Sequence, residues 1–259
     1  MEQRLEFIDT HVHFYDEAFD GEQEEVIARA QAAGIRKMIQ PDVDSHERDK
    51  MFSLSGKHPG VLFTMLGLYP GSVDKNWEKE MEILYKYTDR DIVAIGEIGL
   101  DYHYSADTAE LQKKALGVQF ELAARLDLPV NIHMRDATED FIKVVAQHRH
   151  LGIRGNLHAF SGSYETFMEM QKYGDWSVGI GGVVTFKNSK LPEAVKKIPL
   201  EKILLETDSP YLSPVPLRGK RNESANIPII AAKIAEAKGV PIEEVAAITT
   251  ANAERLFKI

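Results

Sequence analysis

The chain has 259 residues, 44 % of them hydrophobic and 27 % charged, and this ordinary globular composition excludes disordered, collagen-like and coiled-coil chains. It contains no cysteine, so disulfides, cysteine-based zinc sites, iron–sulfur clusters and thiol nucleophiles are excluded together. The formal net charge of −9 argues against a general polyanion-binding surface, so any contact with nucleic acid must be local.

Short β-rich segments alternate with longer amphipathic segments along nearly the whole chain. The predicted strands cover residues 6–9, 37–39, 61–65, 92–96, 130–133, 155–158, 176–180 and 203–206. Most of them are continuously apolar, which is typical of parallel strands buried on both faces. The predicted helices between them cover residues 22–33, 47–57, 75–87, 108–126, 138–150, 164–172 and 190–198, and two more follow at 226–238 and 241–257.

This alternation predicts an α/β fold. Eight strands with intervening helices match a (β/α)8 TIM barrel, which takes about 250 residues as one domain. A doubly wound open sheet is the alternative, because strand number alone does not establish closure. Since no repeat, linker or low-complexity tract interrupts the chain, residues 1–259 are predicted to form one barrel domain with extra C-terminal helices. Asp107 and Ser163 are expected to cap the helices that follow them, and Pro241 to open the last helix.

Targeting and membrane segments are not indicated. The N-terminal residues lack a basic stretch followed by an apolar run, and apolar runs such as residues 92–95 are far shorter than the roughly 18 residues of a membrane span. The sequence therefore predicts a soluble, cytoplasmic protein with no membrane partner. It indicates no obligate protein partner either.

Metal-ligand side chains occur at the ends of five predicted strands. Reacting groups of a parallel barrel come from the C-terminal ends of its strands, so these side chains should meet on one rim. They are His11, His13, Glu97, His133, His158 and Asp208. Four imidazoles and two carboxylates suit Zn²⁺, Mn²⁺, Fe or Ni²⁺ and can hold two ions. Two ions about 3.5–4 Å apart can clamp the attacking and leaving oxygens of an in-line displacement and lower the pKa of bound water toward 7.

The other five histidines are weaker candidates for a role in metal or substrate binding. His46, His58, His148 and His150 lie in or beside predicted helices and are expected to be solvated. His103 lies in the loop after the fourth predicted strand, where a contact with substrate is the less favoured of two interpretations.

Cationic and aromatic side chains near the same rim are candidates for substrate binding. Arg218, Lys220 and Arg221 follow the last predicted strand, and Arg135 lies two residues past His133. Arginine can grip phosphate oxygens bidentately, but a solvated basic loop, with Glu223 paired to an arginine, is the alternative. The aromatic residues near strand ends could stack on bases or simply pack in the rim or core: Tyr69, Tyr102, Phe160 and Tyr211.

Several motifs, in chain order, resemble those of the TatD-type metal-dependent deoxyribonucleases, a family of amidohydrolase-like barrels. They are DTHVH at 9–13, GEIGLDY at 96–102, HAFSG at 158–162, ETDSPYL at 206–212 and RGKRNE at 218–223. The resemblance covers almost the whole chain. It implies a barrel of metal-dependent hydrolase type that cleaves phosphodiester bonds with two divalent cations (Mg²⁺, Mn²⁺, Zn²⁺ or Ni²⁺) and an activated water. The resemblance implies that the substrate is nucleic acid, namely single-stranded DNA or RNA that the protein shortens as a 3′-to-5′ exonuclease.

The resemblance also implies a role for each ligand. His11 and His13 would bind one ion, and His133 and His158 the second. Glu97 would bridge both ions. Asp208 would join the first ion and handle the proton of the attacking water, so that Asp208 and Glu97 are the implied catalytic residues.

Two departures from the family pattern concern substrate binding rather than metal binding. Relatives often carry His at the position of Tyr69 and Pro at the position of Ser224. Tyr69 can offer substrate only a neutral hydrogen-bond donor. Two other functions stay open: an amidohydrolase-type hydrolase of a small ester, lactone or amide, and a non-catalytic barrel that holds metal as a scaffold. Neutral substrates would have little use for Arg218 and Arg221.

Overall fold

Eight parallel strands form one sheet in the computed structural model, which describes residues 5–259. Their order in the sheet is their order in the chain. They are β1 (Phe7–Asp9), β2 (Ile35–Gln40), β3 (Leu62–Leu66), β4 (Ala94–Asp101), β5 (Val130–Arg135), β6 (Arg154–Leu157), β7 (Asp175–Ile180) and β8 (Ile203–Leu205). Each of the seven pairs of neighbouring strands is parallel, as the apolar runs predict.

The first and last strands meet and close the sheet into a barrel. The backbone N–H of Thr10 donates to the carbonyl of Leu205 at 3.0 Å. Just beyond the strand ends, Val12 and Ser209 form a further parallel bridge. These contacts confirm the TIM barrel and rule out the open sheet.

Nine α-helices lie within the described residues. They are α1 (Gln23–Ala32), α2 (Arg48–Lys57), α3 (Trp77–Leu84), α4 (Ala109–Leu126), α5 (Thr138–Gln147), α6 (Tyr164–Met170), α7 (Leu191–Lys197), α8 (Ile227–Lys238) and α9 (Ile242–Phe257). The first seven connect consecutive strands, and the last two follow β8. None of these helices is long and apolar enough to cross a membrane.

The longest helix shows why these segments are helical. α4 is rich in Ala, Leu, Glu and Lys, which are strong helix formers. Leu116, Phe120 and Ala123 recur at intervals of four and three residues, so they share the face that is buried against the barrel. The helix ends at Asp127, whose left-handed conformation (φ 52°) lets its backbone N–H reach back to the last turn.

Helix α9 packs across the N-terminal end of the barrel. Its Ala253 and Phe257 share one apolar cluster with Ile8, Ile39 and Leu204 of the strands. Because this end is filled with side chains, the C-terminal ends of the strands form the face on which a site can be built.

Predicted and observed boundaries differ most at β4. This strand runs to Asp101 instead of ending at residue 96, and its pairing with β5 shifts register between Ile95 and Ile98. Gly99 makes the extension possible: a Cβ at this position would lie 1.8 Å from the carbonyl oxygen of His133. Glu97 therefore lies inside a fully buried strand rather than in the loop after it.

The capping predictions had mixed outcomes. Ser163 caps α6, since its Oγ accepts a hydrogen bond from the N–H of Thr166 at 3.2 Å, which confirms the prediction. The prediction for Asp107 is wrong, because Thr108 occupies the capping position of α4 without a side-chain bond and Asp107 instead donates its N–H to Ser105. Pro241 precedes the first residue of α9 as its N-cap.

Ser224, one of the departures from the family pattern, belongs to a buried network around Asp9. One carboxylate oxygen of Asp9 accepts hydrogen bonds from the hydroxyls of Ser224 and Thr207, both at 2.6 Å. The other oxygen accepts from the backbone N–H groups of His11 and Thr207. The network joins the end of β1 to the segment after β8, on the face that carries His11.

We expect Ser224→Ala to lower the free energy of unfolding by about 1–3 kcal/mol, because a buried carboxylate oxygen loses one of its two hydroxyl donors. Urea denaturation would measure the difference. Ser53→Ala, an exposed change in α2, is the matched control and should stay within about 0.5 kcal/mol of the parent. Equal unfolding midpoints for the two variants would contradict the role of the Ser224 hydroxyl.

Candidate metal centre

The six predicted ligand side chains come together at the C-terminal end of the barrel. They are His11 and His13 after β1, Glu97 in β4, His133 in β5, His158 after β6 and Asp208 after β8. Their nitrogen and oxygen atoms form three overlapping groups, within each of which all atoms lie within 4.8 Å of one another. All six side chains are at most 16 % exposed.

Glu97 lies between two sets of histidines. Its Oε2 is 3.3 Å from Nε2 of His11, which forms one group with His13. Its Oε1 is 2.8 Å from Nδ1 of His133 and 3.5 Å from Nε2 of His158. Each carboxylate oxygen thus faces a different pair of imidazoles, as a bridging ligand requires.

Asp208 faces the same cluster from the segment after β8. Its Oδ1 lies 3.4 Å from Nε2 of His13, 3.6 Å from Nε2 of His11 and 4.0 Å from Nε2 of His158. Its backbone has a left-handed conformation (φ 56°), which Asp and Asn tolerate better than most residues. A hydrogen bond from its N–H to the carbonyl of His11 fixes the segment against β1.

The outer nitrogens of His11 and His13 have defined partners. Nδ1 of His11 lies 3.0 Å from Oδ1 of Asn131, which can only accept, so this nitrogen carries the hydrogen. Nδ1 of His13 lies 3.0 Å from the hydroxyl of Tyr15, which already donates to the carbonyl of Pro41 at 2.6 Å and therefore accepts from His13. In the neutral imidazoles both Nε2 atoms then present lone pairs, only 3.2 Å apart, and a shared cation removes their repulsion.

Carboxylates orient the other two imidazoles. Nε2 of His133 lies 2.8 Å from Oδ2 of Asp101, and Nδ1 of His158 lies 3.1 Å from Oε1 of Glu206. The outer nitrogens therefore donate hydrogen bonds to these carboxylates, and the inner nitrogens face Glu97, where they can serve as metal ligands once they have lost their hydrogen. A carboxylate behind a histidine is the usual arrangement of metal-binding imidazoles. The donor set therefore fits divalent cations.

The two inner carboxyls stay ionised in spite of burial. Burial alone would raise the pKa of Glu97, but the imidazoles of His158 and His11 hold that pKa well below its usual range. Burial is likewise outweighed at Asp208, where His158 and His13 lower the pKa of the carboxyl. The pKa of His11 is lowered by burial and by the neighbouring His158.

The other two imidazoles respond to the acidic groups around them. Burial acts to lower the pKa of His158, but Glu206 and Glu97 raise it to about 10. Burial also acts against protonation of His133, whereas Asp101 and Glu97 raise its pKa to about 9. The buried acids thus attract positive charge into the cluster, and protons and metal ions compete for the same nitrogens.

Asn131, Tyr15, Asp101 and Glu206 were not predicted as site residues. Three of them lie two residues from a predicted ligand in the sequence: Asn131 before His133, Glu206 before Asp208 and Tyr15 after His13. A search for polar residues at that spacing would have found these three. It would not have found Asp101, which follows Glu97 by four residues along β4.

We expect Glu206→Gln to weaken metal binding about 10- to 100-fold, because the amide still accepts from His158 but no longer carries the charge that favours its ligation. Competition with a chromogenic chelator would measure the affinity. Glu80→Gln is the control, since Glu80 is a half-buried carboxylate that binds Ser45 and contacts none of the ligands. An unchanged affinity in Glu206→Gln would show that the outer carboxylate does not support the metal.

Tyr69 lies against the cluster. Its hydroxyl donates to Oδ2 of Asp101 at 3.2 Å, and its ring meets that of His133 edge-on with centroids 5.0 Å apart. Burial and the adjacent acids Glu97 and Asp101 raise the pKa of its hydroxyl, so Tyr69 is neutral and remains a donor. The structure places this side chain next to a predicted ligand, as a substrate-binding residue requires.

Arg135 and Arg218 both stack on aromatic rings. The guanidinium carbon of Arg135, the last residue of β5, lies 5.6 Å from the ring centroid of Tyr104. That of Arg218 lies 4.1 Å from the ring centroid of Phe186. Among residues 5–259, no carboxylate lies within ion-pair distance of either arginine. Both side chains therefore remain available to an anionic ligand.

Arg221 is already held by acidic partners. One terminal nitrogen lies 2.8 Å from Glu22 and 3.2 Å from Glu223, and the other donates to the carbonyl of Ala18 at 2.6 Å. Glu223 also pairs with Arg29 at 2.8 Å. The pairing of Glu223 with an arginine, considered as the alternative from the sequence, is thus present, and Arg221 must exchange partners to bind phosphate.

The other aromatic candidates differ in accessibility. Phe160 is buried in the core, so stacking on a base is excluded for this residue. Tyr102 donates its hydroxyl to Asp140. Tyr211 is half-exposed, donates to Asp16, and has its ring 6.2 Å from that of His13.

The remaining histidines lie outside the cluster. His46 and His150 are exposed, as expected. His58 and His148 are half-buried rather than solvated, and Nδ1 of His148 donates to the carbonyl of Val144 at 2.8 Å. His103 is exposed and lies 2.9 Å from Asp136.

Comparisons with known proteins agree with the geometry. Residues 8–258 match a family model described as TatD related DNase. An uncharacterized metal-dependent hydrolase of Bacillus subtilis, YabD, is 39 % identical over 262 residues, covering 97 % of this chain and 98 % of the relative. A Danio rerio relative named "Putative deoxyribonuclease tatdn3" is 36 % identical over 265 residues, covering 97 % of each chain. The crystal structure of YjjV, a TatD homolog from Escherichia coli, superposes with a TM-score of 0.90 at 29 % identity, covering 99 % of this chain and 100 % of that one.

Proposed function

The chain belongs to the family of TatD-related deoxyribonucleases and is a metal-dependent hydrolase, and on that premise we propose that it is a two-metal 3′-to-5′ exonuclease acting on single-stranded DNA. The observation that supports a two-metal site is the position of Glu97, whose two carboxylate oxygens face different histidines. His11, His13 and Asp208 would hold the first ion, and His133 and His158 the second. When bound, the two cations neutralise the phosphate charge and make hydroxide available near neutral pH.

Asp208 is the group that handles the proton. Its Oδ1 lies among three imidazole nitrogens, and its side chain is the most exposed of those facing His11, at 16 %. In the proposed reaction the water oxygen forms a bond to phosphorus as the bond to the leaving sugar oxygen breaks. The water proton passes to the Asp208 carboxylate, and the protonated Asp208 then gives that proton to the leaving sugar oxygen.

A small number of cations would bind the substrate backbone. Arg135 and Arg218 have no acidic partner in the described part of the chain. Tyr69 lies beside His133, and its hydroxyl would have to exchange Asp101 for the substrate in order to donate to it. The net charge of −9 limits further phosphate contacts. Binding should therefore weaken only modestly with salt, because the slope scales with the number of phosphates neutralised.

Digestion of end-labelled oligonucleotides tests the proposal. Single-stranded DNA, RNA and duplex DNA, each labelled at one end, would be incubated with Mg²⁺, Mn²⁺, Zn²⁺ or Ni²⁺ beside a panel of neutral esters and lactones. The proposal expects 5′-labelled single-stranded DNA to shorten progressively from its 3′ end. Turnover of a neutral ester without cleavage of any oligonucleotide would favour a small-molecule hydrolase. Bound metal with no turnover of any substrate would favour the scaffold.

A further inference from the structure

Tyr104 is unusually exposed for an aromatic residue. It lies in the connection between β4 and α4, and 88 % of its surface is accessible, more than for any other large hydrophobic residue in the described chain. At this exposure the face of the ring is open to a ligand from solvent.

The ring is nevertheless held in place. His103 meets it edge-on, with centroids 4.8 Å apart and planes at 77°. The guanidinium of Arg135 lies 5.6 Å from its centroid, within the range of a cation–π contact. The hydrogen bond between His103 and Asp136 ties this connection to the end of β5. An exposed ring fixed in this way loses little conformational freedom when a ligand binds to it.

The Tyr104–Arg135 pair adjoins the metal centre through two chain segments. Arg135 lies two residues after His133 on β5, about 7 Å along the strand. Tyr104 lies three residues after Asp101, whose carboxylate bonds the outer nitrogen of His133. Both members of the pair therefore extend from the segments that position one ligand.

We propose that Tyr104 is a stacking site for one unpaired base of the strand whose phosphate lies at the metal centre. This inference rests on the proposed function and deepens it. Every nucleobase has a π-face, so a single ring binds any sequence, while Arg135 contacts the adjoining phosphate. A base inside a duplex is already stacked on its neighbours, and the site thus favours single strands. Tyr104 acts as a binding residue and takes no part in the chemical step.

A second tyrosine–arginine pair provides a matched comparison. The guanidinium of Arg125 lies 5.7 Å from the ring centroid of Tyr85, nearly the same distance as in the first pair. Tyr85 is only 38 % exposed and precedes β4, so it lies at the opposite end of the barrel. Exposure and position beside the metal centre, rather than the pairing itself, distinguish Tyr104.

The test combines protein variants with substrates that lack one base. KM and kcat would be measured for the parent, Tyr104→Ala, Tyr104→Trp and Tyr85→Ala on single-stranded DNA carrying one abasic residue at successive positions from the 3′ end. Tyr104→Ala should raise KM about 10-fold and leave kcat within about twofold, whereas Tyr104→Trp should keep the parent KM. At one position, removal of the base should raise the KM of the parent by the same factor and leave the KM of Tyr104→Ala unchanged.

Each other outcome overturns the inference. If the parent cleaves and Tyr104→Ala has the same KM, stacking is excluded and the proposed function stands. The same conclusion follows if the effects of the variant and of the abasic residue on KM add at every position. An equal rise in KM in Tyr85→Ala would show a general effect of removing an exposed tyrosine. If the parent neither binds nor cleaves oligonucleotides, the proposed function is wrong and the stacking site falls with it.

Discussion

Replacing Asp208 with Asn should lower kcat by about 10³-fold or more and leave the barrel folded, because an amide cannot take up the water proton that we propose passes to the carboxylate. The negative charge that Asp208 places beside His158 is lost as well. The fold should persist, since Asn tolerates the left-handed backbone conformation as readily as Asp. Single-turnover kinetics, circular dichroism and metal analysis on the same preparation would separate chemistry, folding and ligand loss.

Asp127→Asn is the matched control for this substitution. Asp127 has nearly the same φ (52°) but lies at the end of α4, where it pairs with Arg154 and Lys258 on the surface. Its replacement should leave kcat unchanged, because exposed ion pairs contribute little and no ligand is touched. Parent-like activity in Asp208→Asn would remove Asp208 from the proton transfer.

Replacing Glu97 with Gln should reduce the bound metal from the proposed two ions per chain to one or none and lower kcat by at least about 10³-fold. The amide has a single acceptor oxygen, whereas the carboxylate offers Oε2 to the side of His11 and Oε1 to the side of His133. Its NH₂ group would also point at a bare imidazole nitrogen or a cation. Elemental analysis after dialysis would give the metal content, and oligonucleotide cleavage the activity.

The Glu80→Gln variant again serves as the control, and it should retain the metal content of the parent. A Glu97→Gln protein that keeps two ions per chain would rule out the bridging role, whatever its activity. One that loses both metal and thermal stability would show that the cluster also contributes to folding, since ligand binding stabilises the folded state.

The order of strands and helices was predictable because a strand that is buried on both faces has an apolar local sequence. Short β-rich segments, most of them continuously apolar, marked all eight strands, and helical segments were predicted within a few residues of their observed ends. Closure was not predictable, because the contact of Thr10 with Leu205 joins residues 195 positions apart. The length of β4 was missed for a related reason: Gly99 looks like a turn residue until the backbone of β5 is placed against it.

The grouping of the six candidate ligands was predictable, and much of their environment was not. Strand ends of a parallel barrel share one face, so six suitable side chains could be gathered from the sequence and the structure brings them together. The ion pair of Arg221 with Glu22 could not be anticipated, because Glu22 lies 199 residues earlier in the chain. Substrate binding by Arg135, Arg218, Arg221 and Tyr69 stays a prediction. Tyr104 went unnoticed because one more tyrosine in a loop carries no local signal.

The pairing of β1 with the segment around β8 has a consequence for biosynthesis. A nascent chain on the ribosome exposes the unpaired edge of β1 until Leu205 has been translated. The N-terminal end of the barrel stays uncovered until Phe257 of α9 has been translated. Unpaired strand edges promote aggregation, so chaperone protection should matter during most of elongation. The same order of events delays catalytic competence, because His11 and Asp208 meet only after the final strand has docked.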